Sequence, residues 1–320
     1  MHPPGVTPGG GPLGLGLPTP EPPAPSRAKQ VRVALLLLVL LGAGLQYLRV
    51  KAAESWRPDW EGGRERVTVR VIVPKGLSAD EEALVAHLKE YAFLGDGFAS
   101  FTALSDWLKR EQGRYRSVPS TAPVAFKVQG PLEAATLPPT PPRADEGLSF
   151  LERWRRSRDF LAWFQAIAAQ DPADAPNSVF VVFYRKAEAP WLDKVHSVAD
   201  RRSRSGFVFA RLDEDGVQSA VIDVGHELLH LFGAKDEYEG LRCNYPEGFV
   251  EPFAEPRYPQ RFAEVMALGI PRGEGQREGG LHSFEQMRVG VQTAFEIGWI
   301  DQARRDRYYK GDASAAPTFD

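Results

Sequence analysis

The apolar stretch Gly216–Phe232 constrains the fold most, because polar side chains lie within a pattern that is typical of a buried helix. Its aliphatic residues predict a largely buried helix. Within that helix stand His226, Glu227 and His230, whose burial without partners costs free energy. Residues four apart lie on one helix face, one turn apart, so the two histidines are placed to share one metal ion. A shared metal removes the cost of their burial.

The residues after His230 extend the pattern to H-E-x-x-H-x-x-G-x-x-D. Gly233 is placed to end the helix in a left-handed turn, after which the chain delivers Asp236 as a third ligand. Three protein ligands and one open position are what a catalytic zinc ion needs. Glu227, beside the first ligand, is then predicted to act as the general base toward an attacking water.

Third ligands other than Asp236 are conceivable. Glu237 is its direct neighbour, and a slip of one residue in the turn would exchange the two. Glu251 or Glu255 would serve if the third ligand lay on a later helix, but the prolines of Pro246–Pro259 argue against a helix there. Three other histidines are interpreted as ordinary loop, surface or core residues: His87, His196 and His282.

Strand-like runs alternate with helical stretches along the rest of the chain, which predicts an α/β or α+β fold with a mixed sheet. The predicted strands are Val67–Val73, Ala122–Val128, Ser178–Tyr184 and Gly206–Leu212. The other predicted helices are Ala79–Gln112 with a break near Leu94–Gly97, Ser149–Ala169, and Ser283–Trp299 as the closing helix. A proline-rich loop is predicted over Gly130–Gly147. Five residues are predicted to form the core face of the second of these helices: Phe150, Leu151, Trp154, Leu161 and Phe164.

The string from His226 to Asp236 resembles the active-site motif of the metzincin clan of zinc metallopeptidases, in the variant that ends in Asp, as in snapalysin. It matches that pattern at every fixed position. The resemblance implies Zn²⁺ bound by His226, His230 and Asp236, with Glu227 as the catalytic base.

The same resemblance implies a zincin-like fold: a mixed, mostly parallel sheet with an antiparallel edge strand, an active-site helix and a C-terminal helix. In the clan an edge strand precedes the active-site helix and pairs with the substrate, and Gly206–Leu212 occupies that slot. A methionine turn lies beneath the metal, and Met266 is a better candidate for it than Met287. Tyr238 is a candidate for stabilising an oxyanion, with a packing role as the alternative.

The N-terminal region divides into parts of different composition. Residues 1–30 hold nine prolines and are predicted to be a disordered tail. Residues 31–50 form an apolar run that is about 30 Å long as a helix, enough to cross a bilayer, and a cleaved signal segment is the alternative. Residues 51–66 are predicted to be a stalk, residues 67–302 one catalytic domain, and residues 303–320 a tail.

Basic residues before the apolar run predict a cytoplasmic N-terminus and an extracytoplasmic catalytic domain. Arg49 and Lys51, on the far side of the run, oppose that orientation. If the segment is cleaved, the domain is instead secreted.

Charge and cysteine content exclude several classes of protein and site. The chain of 320 residues has a net charge of -3 and no basic stripe, which argues against a nucleic-acid partner. Its one cysteine, Cys243, excludes an internal disulfide framework and a cysteine-rich zinc cluster. Any zinc is therefore held by histidine and carboxylate.

The predicted function is that of a membrane-anchored or exported zinc metalloendopeptidase, with a peptide or protein as substrate and a lipid bilayer as partner through residues 31–50. Two alternatives stay open. One is a catalytically silent binding domain with a zincin fold, and the other is a zinc amidase that acts on a non-peptide substrate.

Overall fold

A computed structural model describes residues 27–61, 64–88, 93–94, 97–98, 100–116, 122–142, 146–172, 175–281 and 283–318. Most of the predicted disordered tail, residues 1–26, lies outside these ranges, and so does His282. The chain divides into two compact units, Met1–Val50 and Lys51–Asp320.

The predicted apolar segment lies within helix α1, Arg27–Ser55. Its part Gln30–Ala52 is long and apolar enough to cross a membrane. This length and composition suit a membrane span or a signal sequence, which are the two roles predicted for the segment.

The second unit is built on a five-stranded sheet. Its strands are β1 Glu65–Pro74, β2 Val124–Ala134, β3 Asn177–Tyr184, β4 Val198–Asp200 and β5 Ser205–Arg211. They lie in the order β2-β1-β3-β5-β4. All neighbours are parallel except β4, which pairs antiparallel with β5. The predicted mixed, mostly parallel sheet with an antiparallel edge strand is confirmed.

The identity of that edge strand was predicted wrongly. Gly206–Leu212 corresponds to β5, which lies inside the sheet between β3 and β4, and the edge is the three-residue strand β4. The turn between them is fixed by Asp200, whose carboxylate accepts the N–H of Arg202 at 3.1 Å. This turn folds β4 back against β5. Because β4 has only three residues and the first and last are exposed, its sequence shows no pattern that predicts a strand.

Side chains alternate between the two faces of the sheet, as the period of two in a strand requires. On β3, Val179, Val181 and Phe183 face one core cluster, while Phe180 and Val182 face the other. Helices cover both faces, so the parallel strands are buried on both sides. The first face carries α2 Ala79–Ala86, α3 Phe101–Gly113 and α5 Glu214–Phe232, and the second carries α4 Phe150–Ala168.

Helix α4 turns a different face to the sheet than predicted. Only its C-terminal half packs, through Phe160, Phe164 and Ile167 at i, i+4 and i+7. Of the five residues predicted to face the core, Phe164 alone is buried, and the exposed ones are Phe150, Leu151, Trp154 and Leu161. The amphipathic pattern predicted the helix correctly, but it did not predict which residues of the helix contact the sheet.

Strand β2 extends into the region predicted as a loop. It continues to Ala134, past Gly130, where φ is 104° and the register with β1 shifts. Because β2 lies at the edge of the sheet, the missing N–H of Pro131 is tolerated there. The predicted break in Ala79–Gln112 corresponds to a short antiparallel pair, Phe93–Leu94 with Gly97–Phe98.

The C-terminal region is less helical than predicted. Within Ser283–Trp299 only α6, Val291–Glu296, is an α-helix, because Met287–Arg288 is extended and pairs with Ala263–Glu264. A further helix, α7, spans Gln302–Tyr309. The remaining short elements are the strand pairs Tyr238–Glu239 with Arg242–Cys243 and Ile270–Gly273 with Gln276–Glu278, and the 3-10 turns Leu192–Lys194, Phe284–Gln286 and Ala313–Ala315.

The packed region extends past the predicted limits of 67–302 on both sides. Trp60, in the predicted stalk, is 7% exposed and donates its indole N–H to the carbonyl of Ile297 at 2.6 Å. Tyr308, in the predicted tail, is also 7% exposed. Aromatic side chains on both flanks thus complete the core.

Candidate metal centre

Helix α5 begins and ends at defined caps. At its start the N–H of Gly216 donates to the carboxylate of Asp213 at 2.8 Å. At its end Gly233 adopts a φ of 118°, in the left-handed region. A side chain there would also meet the carbonyl oxygen of Glu296 at 3.2 Å, so only glycine fits. The chain leaves the helix at this turn, three residues before Asp236.

The two histidines of α5 face each other through their Nε2 atoms, which are 3.1 Å apart. Each Nδ1 lies at hydrogen-bond distance from a backbone carbonyl: that of His226 at 3.1 Å from Val265, and that of His230 at 2.9 Å from Ala234. A carbonyl only accepts, so each Nδ1 carries the proton. Both Nε2 atoms of the neutral rings therefore present lone pairs to the same point.

Asp236 brings a carboxylate oxygen to that point. Its Oδ1 lies 3.3 Å from Nε2 of His226 and 3.2 Å from Nε2 of His230. Ligand atoms bound tetrahedrally at about 2.0 Å, as around zinc, lie about 3.3 Å from one another. The three atoms are thus spaced as a metal ion requires, and three electron-rich atoms at this distance are unfavourable unless a cation lies between them. The donor set fits a divalent metal.

The same contacts set the charge of each ligand. The close approach of the His226 and His230 rings holds the pKa of Asp236 well below its usual range. Burial lowers the pKa of His226. Burial is the largest single influence on the pKa of His230 and lowers it, but Asp236, the carbonyl of Ala234 and the charge of Glu227 together outweigh it, so the net shift is upward. Asp236 is therefore ionised, as a metal ligand must be.

Glu227 lies directly beside the first histidine and is 2% exposed. Within the described residues its Oε2 has no hydrogen-bond partner. Burial raises the pKa of this carboxyl to about 8. Such a group, next to three converging ligand atoms, is placed to accept and return a proton.

A cavity of about 470 Å³ opens onto these groups. The edge strand β4 forms one wall through Val198 and Ala199, and Tyr238 lies on another. The Arg277 guanidinium stacks over the Tyr238 ring, 4.1 Å from its centroid, and Tyr238 also lines the cavity. The other lining residues are Val195, His196, Ser197, Arg201, Phe209, Asp223, His226, Glu227, His230, Ala234, Asp236 and Leu268.

The alternative third ligands lie elsewhere. Glu237 is 6% exposed, and its pKa is raised to about 8 by burial and by the nearby charges of Glu264 and Glu296. Glu251 lines a different cavity, and Glu255 is exposed in a loop. Among the described residues, Asp236 is the carboxylate that joins the two histidines.

A turn over residues 263–267 supports the ligands from behind. The carbonyl of Val265 faces Nδ1 of His226, and the carbonyl of Met266 accepts the N–H of Glu237 at 3.0 Å. The Met266 side chain is fully buried. This turn therefore contacts the ligand His226 directly, and it also binds Glu237, the residue next to the ligand Asp236.

Glu264, which the sequence analysis missed, fixes that turn. Its buried carboxylate accepts hydrogen bonds from the N–H groups of Met266 at 2.5 Å, Ala267 at 3.0 Å and Gly290 at 3.0 Å. It also accepts from the hydroxyl of Thr293 at 2.7 Å. Burial raises its pKa to about 7, against the four donors, which lower it. The sequence signal that could have found it is a lone glutamate within the apolar run Ala263–Leu268.

We expect Glu264→Gln to destabilise the fold by about 3 kcal/mol, because the amide group turns a donor toward one of the backbone N–H groups that the carboxylate satisfies. Urea unfolding measures the change. Thr293→Val is the matched control: it removes one donor and should cost about 1 kcal/mol. Equal effects of the two variants would contradict the role given to Glu264.

Two histidines that were predicted to be loop, surface or core residues differ in their position relative to the cavity. His196 lines the cavity, although its distance from the ligands keeps it outside the metal cluster. His87 lies at the C-terminal end of α2, away from this cavity. The free Cys243 is buried on a short strand, and burial raises the pKa of its thiol to about 11.

No protein-family model matches the chain, and neither a curated protein nor a solved structure does so. The case for function therefore depends on the geometry of the centre.

Proposed function

We propose that the chain is a zinc-dependent peptidase whose active site is the centre on α5. One observation carries the proposal: three ligand atoms from His226, His230 and Asp236 converge within 3.1–3.3 Å, beside the buried carboxylate of Glu227. Two neutral histidines and one carboxylate suit zinc better than calcium or magnesium, which prefer oxygen ligands.

His226, His230 and Asp236 would hold the zinc ion, which would supply a Lewis acid for polarising the scissile carbonyl and activating water. Glu227 takes the proton from the attacking water and delivers it to the departing amine. The carbonyls of Val265 and Ala234 keep both histidines in the tautomer that leaves Nε2 free. Tyr238, on the cavity wall, is placed to donate to the developing oxyanion.

The substrate lies along β4 in this proposal. That strand is the last of the described sheet and forms a wall of the cavity. An extended peptide added beside it would satisfy backbone groups of both chains and pass over Glu227. A peptide is thus favoured over a small amide.

We further propose that residues Gln30–Ala52 anchor the enzyme as a single span, with the N-terminus cytoplasmic and the catalytic unit outside. Secretion after signal cleavage is the alternative. Protease added to intact cells should digest the catalytic unit in the first case, and the medium should contain it in the second.

The test of function uses the full chain purified in detergent. Elemental analysis should find one zinc per chain, and a mixed peptide library should be cleaved. Zinc binding without cleavage would support the silent binding domain instead. Protein without stoichiometric metal would contradict the central proposal.

A further inference from the structure

Asp223 lines the cavity but has no part in the metal centre. It lies on α5 three residues before His226 and four before Glu227, on the same face of the helix. In the part of the chain that the structure describes, it makes no hydrogen bond and no ion pair. Its carboxylate therefore faces the cavity without a partner.

This placement is unfavourable for stability. Aspartate is a poor residue for a helix interior. Burial raises its pKa to about 6, and its charge in turn raises the pKa of Glu227. A third carboxylate, Asp236, lines the same cavity. A divalent metal at the centre would offset the charges of Asp236 and Glu227, which leaves the carboxylate of Asp223 without a counter-charge.

Arg201, the one arginine or lysine among the described residues that line the cavity, does not neutralise Asp223. Arg201 directs its Nη2 to the carbonyl of Trp56 at 2.8 Å, beside the end of α5 at Gly233. Asp223 lies near the middle of the same helix, and Arg201 is not among the groups that shift its pKa. The counter-charge that Asp223 lacks is thus left for a bound molecule to supply, in addition to the metal ion that the two histidines and Asp236 would hold.

The walls around Asp223 suit a long aliphatic chain. The apolar residues of the cavity would contact methylene groups while a charged tip reached the carboxylate: Val195, Val198, Phe209 and Leu268. A lysine or arginine side chain combines these two properties. We propose that Asp223 determines specificity, selecting substrates with lysine or arginine next to the scissile bond; this inference rests on the proposed peptidase function.

The test compares peptides that differ at one position. Fluorogenic peptides carry lysine, arginine, norleucine or glutamate on either side of the scissile bond, and the enzyme is the zinc-loaded full chain in detergent. We expect kcat/KM for the basic peptides to exceed that for norleucine at least about tenfold. In Asp223→Asn this ratio should fall close to one, while zinc content stays at the wild-type value and the unfolding temperature does not fall.

Asp215→Asn is the matched control, because Asp215 is exposed in the first turn of the same helix. It should keep the wild-type preference. Equal rates for lysine and norleucine peptides in the wild type, or an unchanged ratio in Asp223→Asn, would overturn the assignment of Asp223.

A binding measurement separates this inference from the proposed function. Fluorescence anisotropy gives the Kd of labelled lysine and norleucine peptides for the wild type and for Asp223→Asn. If no peptide is cleaved, the peptidase proposal fails, yet a lysine preference in Kd that Asp223→Asn abolishes still supports a cation subsite. Equal Kd values would reject it.

Discussion

Glu227→Gln is expected to bind zinc as the wild type does and to hydrolyse peptides at least about a hundredfold more slowly. The amide keeps the size of the side chain but cannot accept the proton of the attacking water. The three ligand atoms belong to other residues, so the metal should stay bound. Elemental analysis and kcat/KM on the same preparation measure the two properties.

Glu214→Gln provides the control for this variant. Glu214 is an exposed glutamate in the first turn of the same helix, so its substitution makes the same chemical change outside the cavity. It should keep both zinc and activity. Wild-type hydrolysis by Glu227→Gln would exclude Glu227 as the base and favour another proton acceptor.

Loss of a ligand should have the largest effect on stability. His230→Ala removes one of three ligands and should leave the protein without stoichiometric zinc. A metal present at a thousandfold excess over its Kd stabilises a fold by about 4 kcal/mol. For a domain of this size, the loss corresponds to about 10 °C in Tm. Thermal unfolding with and without a chelator measures it: the chelator should lower the Tm of the wild type and leave the variant unchanged.

The hydrogen bond between His230 and Ala234 is also lost in this variant, so the chelator comparison is the decisive one. His87→Ala removes another histidine, away from the cavity, and should retain the chelator response. Stoichiometric zinc in His230→Ala would show that the ligand set is wrong.

Local spacing accounts for the parts of the centre that the sequence predicted. His226 and His230 are one helical turn apart, and Gly233 needs only the end of that helix to adopt its left-handed conformation. Asp236 follows within three residues. Since no long-range contact is needed to bring these residues together, their spacing in the chain was sufficient.

The parts that were missed depend on contacts between distant segments. Glu264 binds groups from its own turn and from Gly290 and Thr293, more than twenty residues on. Strand β4 exists only because β5 lies beside it. For α4, periodicity identified an apolar face of which only Phe164 contacts the sheet, because the contact face is rotated toward Phe160 and Ile167. A pattern within one segment cannot predict which distant segment will contact it.

The packing of the chain just after α1 has a consequence if residues 30–52 anchor the protein as proposed. Trp56 and Trp60 both contact the ring of Phe232, the last residue of the helix that carries the histidines, at centroid distances of 6.3 Å and 5.3 Å. A soluble form released from that anchor by proteolysis would keep this aromatic cover if the cut fell before Trp56. A cut farther along would strip the end of the helix next to the Gly233 turn. The site of release would then decide whether the released form keeps the packing at the end of the helix that carries the histidines.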